Sequence, residues 1–157
     1  MRNKPEYTRR LPHYHPVGGI FFITFRLYGS LPIDFLHALL QWAQSERLRI
    51  SALPNEVDRE NAQAIFQRDY FRKYDHALDQ CLFGPTFLKD PAAAYRLVEQ
   101  LTRFDGHWYD LLAYTIMPNH AHVLLDFSAQ TKDTPDPPLY KNLDHVMNFI
   151  KGASARY

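Results

Sequence analysis

The alternation of apolar and polar residues predicts a strand over residues 20–28. Its odd-numbered positions are all apolar: Phe21, Ile23, Phe25 and Leu27. Its even-numbered positions are mixed and include Thr24 and Arg26. Because successive side chains of a strand point to opposite faces, the odd face is expected to pack on a core. The even face is then available to a partner.

Two further strands are predicted near the C-terminal end, over Trp108 to Met117 and His120 to Phe127. The short Pro118-Asn119 turn between them indicates a β-hairpin. Apolar residues at helical spacing predict four helices. These cover residues 30–49, 56–80, 90–104 and 139–157. In the first helix, Ser30 is the expected N-cap and Pro32 is expected in the first turn. The pattern therefore predicts a mixed α/β (α+β) protein.

Length and composition favour one intracellular domain. The chain has 157 residues, of which 46% are hydrophobic, so it can bury a core over residues 1–157. Its one cysteine, Cys81, excludes an intramolecular disulfide and fits a reducing cytoplasm. No apolar run approaches the roughly 20 residues of a membrane span, so no membrane contact is expected.

Charge is unevenly distributed although the formal net charge is only +1. Residues 1–28 carry five Arg and Lys residues against Glu6 alone, an excess of +4. Residues 1–17 form a polar, proline-punctuated basic arm with aromatic and histidine residues interleaved. Such an arm could follow a phosphate backbone and stack on bases. A solvated terminus without a ligand is the alternative.

Candidate chemistry is concentrated in Met117-Pro118-Asn119-His120-Ala121-His122. His120 and His122 lie two residues apart on a predicted strand, so they share a face, with Cα atoms roughly 6–7 Å apart. That face is opposite the apolar series that begins at Ala121 and Val123. Two imidazoles at this spacing can converge on one divalent metal. Two partly exposed histidines without a ligand are the alternative.

A third metal ligand must come from another element. Asp126 shares the face but lies about 13 Å along the strand from His122, too far to share one ion. The candidates by residue type are His13, His15, His145 and any residue beyond position 157. Other nucleophilic sites find no support, since the chain has no Gly-x-Ser-x-Gly elbow and no phosphate-binding loop. Tyrosine is abundant, with ten copies, and can act as a covalent nucleophile.

The segment from Met117 to Leu125 closely resembles the His-hydrophobic-His (HUH) signature of single-tyrosine transposases. More narrowly, it resembles the REP-associated tyrosine transposases of bacteria. Five further segments match that family in order: Leu11 to Pro16, Phe22 to Leu27, Gly29 to Pro32, Phe104 to Tyr109, and Phe149 to Gly152 with its Lys151. Ala121 departs from the Val or Ile usual at its position. The resemblance covers nearly the whole chain.

This resemblance implies a ferredoxin-like sandwich with an antiparallel sheet and helices packed on one face. It implies metal-dependent cleavage and joining of single-stranded DNA at hairpin repeats, through a 5′-phosphotyrosine intermediate. His120 and His122 match the metal-binding pair, with Mg²⁺ or Mn²⁺ as cofactor. The family's last strand, its nucleophilic tyrosine and its polar third ligand are expected beyond Tyr157, so the chain is expected to be truncated within an incomplete core at 18–157.

The expected partner is single-stranded or hairpin DNA, bound by a monomer or a weak dimer. The candidate DNA-binding residues are Arg9, Arg10, His13, Tyr14, His15, Thr24, Arg26 and Lys151. A relative that binds nucleic acid without catalysis, through the sheet face and the basic arm, is the alternative function. A small metal-dependent phosphoesterase acting on nucleotides is a third.

Overall fold

The structure is a computed structural model that describes residues 17–131 and 141–154. The described residues form three strands and four α-helices in the order β1 (Ile20–Arg26), α1 (Ile33–Ser51), α2 (Glu56–Asp79), α3 (Pro91–Thr102), β2 (Asp110–Ile116), β3 (His120–Asp126) and α4 (Leu143–Ser154). Short 3₁₀ turns lie at Phe87–Lys89 and Ser128–Thr131. The predicted strands and helices are all present, and the mixed α/β class is confirmed. The basic arm lies outside the described residues, apart from Val17.

The three strands form one antiparallel sheet with β3 in the centre. β2 and β3 pair through the turn at Pro118-Asn119, which confirms the predicted hairpin. On the other side of β3, Thr24 of β1 lies opposite His122, and Arg26 lies opposite His120. The register therefore places the even face of β1 beside both histidines.

The main core covers the odd-numbered face of the sheet. Every odd-numbered residue from Ala121 to Phe127 is fully buried. They pack with Leu97 and Leu101 of α3 and with Val146 and Ile150 of α4. This confirms that the apolar alternation of β1 and β3 marks the packing face, and it leaves the histidines on the opposite face.

Helices lie on both faces of the sheet, so the expectation of helices on one face is wrong. The C-terminal half of α2 covers part of the even face, where Phe71 contacts Phe22 at 5.5 Å between ring centroids. Tyr74 accepts a 3.0 Å hydrogen bond from Nε of Arg26. The physical reason is that Phe22 gives the even face of β1 an apolar side chain, which an aromatic residue of α2 partly covers. α1 packs on α2 around a separate cluster of Ala43, Ile50 and Phe66.

The starts of α2 and α3 agree with the prediction from the sequence, whereas the start of α1 does not. Side chains of Asn55 and Asp90 accept hydrogen bonds from the first turns of α2 and α3. Ser30 is not the N-cap of α1, which starts at Ile33 after Pro32. Ser30 is instead buried, and its hydroxyl donates to the carbonyls of Leu27 and Asn119. A buried hydroxyl is stabilised by such partners more than by capping an exposed helix end.

The β2–β3 turn is held by backbone from two other loops. Leu27 donates its N–H to the Asn119 carbonyl, and Leu88 donates to the Pro118 carbonyl. These bonds fix the end of the sheet from which His120 begins. Among the described residues, no helix is both long enough and apolar enough to cross a membrane.

Candidate metal centre

His120 and His122 point toward the same spot above the even face of the sheet. Their Nε2 atoms lie 3.2 Å apart, and the two rings are nearly perpendicular. His120 is fully buried, whereas the side chain of His122 is 17% exposed. The prediction that the two histidines share one face of the strand is therefore confirmed. The alternative interpretation expected two partly exposed histidines, and His120 differs from it because its side chain is fully buried.

Asn119 sets the orientation of the His120 ring. Its amide nitrogen donates to the Leu78 carbonyl at 2.9 Å, so its amide oxygen is the atom 2.7 Å from Nδ1 of His120. An oxygen acceptor requires a proton on Nδ1, which leaves a lone pair on Nε2 of the neutral ring. Partners of this kind fix the tautomer of metal-binding histidines.

Thr24 holds the ring of His122 from the neighbouring strand. Its hydroxyl lies 2.8 Å from Nδ1 of His122. A hydroxyl both donates and accepts, so Thr24 serves either tautomer of that ring. Without a metal, His122 can donate from Nε2 to His120. With a metal, it can carry its proton on Nδ1 and offer Nε2 as a second lone pair.

The third member of the cluster is Asp75, which α2 brings over the sheet. Its Oδ1 lies 3.1 Å from Nε2 of His122. This oxygen is buried and accepts no hydrogen bond from any described residue. One ligand atom from each of Asp75, His120 and His122 lies within 4.8 Å of the others. Asp79, one turn later on α2, places Oδ1 3.6 Å from Nε2 of His120 and is half exposed.

Two of the three ligand separations in the cluster fit a bound divalent cation. Two atoms bonded to one ion at about 2.1 Å lie roughly 3.0–3.4 Å apart at octahedral or tetrahedral angles. The separations at His122 are 3.2 and 3.1 Å, within that range. A buried carboxylate oxygen without a partner is costly, and a cation between the three ligands would satisfy it. The residues present therefore could hold a metal ion.

The electrostatic environment keeps His120 neutral. Burial lowers the pKa of His120, and the neighbouring His122 lowers it further, while Asp79 and Asp75 act in the opposite direction. A neutral imidazole is the form that binds a metal. Near neutral pH, a metal ion therefore has no proton to displace from Nε2 of His120.

Asp75 was missed by the sequence analysis, which sought the third ligand elsewhere. His145 is on α4, where its ring contacts Trp108 at 5.6 Å, away from the cluster. Asp126 accepts a hydrogen bond from the Ser128 N–H and is outside the cluster, as its distance along β3 predicts. His13 and His15 lie outside the described residues. A carboxylate at helical spacing from apolar Phe71 and Leu78 was the available signal.

The predicted DNA-binding residues fall into three groups. Thr24 and Arg26 are on the histidine face, bonded to His122 and Tyr74 as described. Lys151 is on α4, and its Nζ lies 5.9 Å from the ring centre of Phe25 on the opposite face of the sheet. The remaining predicted residues, Arg9, Arg10, His13, Tyr14 and His15, lie outside the described residues. The structure thus brings two of the eight next to the histidines.

Comparison with known proteins gives no match: no protein-family model, no curated protein and no solved structure matches the chain.

Proposed function

We propose that this protein binds one divalent metal ion through Asp75, His120 and His122 and uses it to hold a phosphate of single-stranded or hairpin DNA. The observation that carries the proposal is a cluster of three potential ligand atoms. The Nε2 atoms of His120 and His122 lie 3.2 Å apart, and a buried oxygen of Asp75, which accepts no hydrogen bond from the described residues, lies 3.1 Å from the second of them. The resemblance of the Met117–Leu125 segment to REP-associated tyrosine transposases supports DNA as the substrate. In that reading the reaction is strand cleavage and joining.

The donor set favours Mn²⁺ over Mg²⁺. Mg²⁺ prefers oxygen ligands and keeps several waters, whereas imidazole suits later transition metals. Two histidines and one carboxylate also accept Zn²⁺ and Fe²⁺. Mn²⁺ is the best first probe because it is compatible with both imidazole and phosphate oxygen.

Each residue around the metal has a separable task. Three protein ligands leave coordination positions for a phosphate oxygen, and the bound ion would supply Lewis-acid polarisation of that phosphate. Asn119 keeps the Nε2 lone pair of His120 directed at the ion, and Thr24 orients His122. On the other side of β3, Thr115 of β2 lies opposite His122 and is exposed. A strand of DNA can therefore approach the metal from the side of β2.

Binding without catalysis is the second candidate, and neither Tyr74 nor Tyr109 is placed to act as a nucleophile. A tyrosine nucleophile needs a base or a lowered pKa. The Tyr74 hydroxyl accepts from Arg26, which holds it in the packing of α2 on β1. The Tyr109 hydroxyl donates to the Leu101 carbonyl, and burial raises the pKa of Tyr109 to about 12. Both groups stabilise the fold in their present positions.

The test combines metal and DNA binding on the full chain. Isothermal titration with Mn²⁺ should give one site, and a fluorescent hairpin and a single strand should bind in its presence. The variant His120→Ala/His122→Ala should lose both activities, whereas His145→Ala should keep both. Failure of the wild-type protein to bind either DNA would sink the proposal. Strand cleavage with a covalent protein–DNA product would select the catalytic over the non-catalytic candidate.

A further inference from the structure

A pair of exposed phenylalanines adjoins the candidate metal centre. Phe22 of β1 is 57% exposed and Phe71 of α2 is 40% exposed. The Phe22 ring lies 5.4 Å from the His122 ring at an interplanar angle of 20°, and the Phe71 ring lies 6.3 Å from it. With Ile20, which is also exposed, these rings form an apolar patch beside a metal ligand. We name Ile20, Phe22 and Phe71 the aromatic patch.

We propose that the aromatic patch receives an unpaired base of single-stranded DNA, from the nucleotide whose phosphate contacts the metal. This inference rests on the proposed function and names a specificity site within it. The metal centre attracts the charged phosphate, and the uncharged rings beside it complement the uncharged face of a base. The distances from His122 to the two rings are within the reach of the sugar that joins a base to its phosphate.

The site selects an unpaired base for a geometric reason. The Phe71 ring of α2 lies edge-on to the Phe22 ring at 5.5 Å between centroids, and Phe22 is on the edge strand β1, so the two rings present a surface the size of a single base. A base in a duplex is stacked and paired, and it would have to leave the helix to reach these rings. A single-stranded base meets no such cost. Stacking on aromatic rings tolerates any base sequence.

The experiment measures binding of a fluorescent single strand in Mn²⁺ and of copies with one abasic site, moved stepwise along the strand. For the wild-type chain, one abasic position should weaken binding roughly 5- to 150-fold, the range of one base stacked on an aromatic side chain. Phe22→Ala/Phe71→Ala should weaken binding of the intact strand by a similar factor. In that variant the abasic position should no longer matter.

Controls separate stacking from folding and from metal binding. Tyr95→Ala removes an aromatic ring that is 71% exposed on α3, on the other face of the sheet, and should leave binding unchanged. Phe22→Leu keeps apolar volume without a ring and should weaken binding while Mn²⁺ affinity stays at the wild-type value. If Phe22→Leu loses DNA binding only together with Mn²⁺ binding, the ring acts by supporting His122 and the inference is wrong.

Two other outcomes overturn the inference and differ in what they say about the metal centre. If both phenylalanine variants bind as tightly as wild type while His120→Ala/His122→Ala does not bind, the proposed function stands and base stacking is wrong. If the wild-type chain shows no metal-dependent binding of any single strand, the proposed function fails, and this inference fails with it.

Discussion

At the scale of single residues, Asp75 is what makes a pair of histidines into a three-ligand cluster. Asp75→Asn removes the charge but keeps the shape, so Mn²⁺ affinity should fall roughly 100-fold or more, beyond the 10–100-fold typical of residues around the ligands. Without metal, the variant should be more stable by about 1 kcal/mol, because it no longer buries a charged carboxylate oxygen that accepts no hydrogen bond from the described residues. Titration calorimetry and chemical denaturation measure the two effects.

The matched control for this prediction is Asp69→Asn, two turns earlier on α2. Asp69 forms ion pairs with the exposed side chains of Arg68, at 3.5 Å, and Arg72, at 3.3 Å. Its loss should change stability by about 0–1 kcal/mol and leave Mn²⁺ affinity unchanged. Equal Mn²⁺ affinities for Asp75→Asn and the wild-type protein would remove Asp75 from the metal centre.

Asn119 is the second residue whose substitution separates metal binding from stability. Asn119→Ala leaves Nδ1 of His120 unsatisfied in a buried position, at a cost of about 1–3 kcal/mol, whereas the Leu78 carbonyl still accepts the N–H of Cys81. It should also weaken Mn²⁺ binding roughly 10–100-fold, because the His120 ring loses its orientation. Thermal melts with and without Mn²⁺ distinguish the two losses.

Asn142→Ala provides the comparison for Asn119. Asn142 is exposed and accepts the His145 N–H at the start of α4. Its loss should cost about 1 kcal/mol, as for other helix caps, with no change in Mn²⁺ affinity. An Asn119→Ala protein that binds Mn²⁺ as the Asn142→Ala protein does would refute the orienting role.

The lowered pKa of His120 predicts how the metal-free protein responds to pH. The folded protein holds the pKa of His120 below 6.5, its ordinary value and the value expected after unfolding. The unfolded chain therefore binds more protons between these two values, so stability rises with pH across that window. The His120 contribution is complete above about pH 6.5 and is lost as pH falls toward the folded pKa.

Denaturation of the metal-free protein at pH 7.5 and 5.5 tests this direction. His120→Gln should lose part of the difference in unfolding free energy between the two pH values. His145→Gln, at an exposed position of α4, should retain it. A difference that is the same in the wild-type and His120→Gln proteins would assign it to other groups.

At the scale of elements, more of the fold could be predicted from the sequence than of the candidate metal centre. Strand alternation identified the buried face of β1 and β3, and the Pro-Asn turn identified the hairpin, because both are set by local periodicity. The position of α2 could not be predicted in this way. Its helical spacing fixes which residues share a side, but which sheet face meets Phe71 and Asp75 depends on tertiary packing with Phe22. The third ligand was missed for that reason.

Two loop glycines, Gly84 and Gly106, should differ in how much an alanine substitution destabilises the protein. Gly84 and Gly106 both have positive φ, 72° and 73°, which costs other residues about 1–2 kcal/mol. A Cβ on Gly84 would overlap the backbone carbonyl of Gly29 and approach Ser30, whereas one on Gly106 meets nothing within 4 Å. Gly84→Ala should thus cost about 1–3 kcal/mol more than Gly106→Ala, the usual cost of overpacking.

Chemical denaturation of both alanine variants measures that difference directly. Because Ser30 donates to the Asn119 carbonyl, displacement of this loop should also lower Mn²⁺ affinity in the Gly84 variant. Equal free energies of unfolding for the two variants would show that the loops separate without cost.

At the scale of the whole molecule, the metal centre joins α2 and β3, two elements that belong to different buried clusters. One cluster joins the sheet to α3 and α4, and the other joins α1 to α2. Asp75 belongs to α2, whereas His120 and His122 belong to β3. A metal bound by all three residues therefore ties the α1–α2 pair to the sheet, in addition to the contacts of Phe71 and Tyr74.

Metal binding should consequently stabilise the entire fold. A ligand that binds only the folded state at 100 times its dissociation constant adds about 2.7 kcal/mol, which for a chain of this size raises Tm by roughly 5–10 °C. Mn²⁺ should produce this shift in the wild-type protein, and a chelator should reverse it. His120→Ala/His122→Ala should show no shift, while His145→Ala should shift as wild type does. A wild-type Tm that stays constant up to millimolar Mn²⁺, in a protein shown to be folded, would leave the three residues as a structural cluster and not a metal centre.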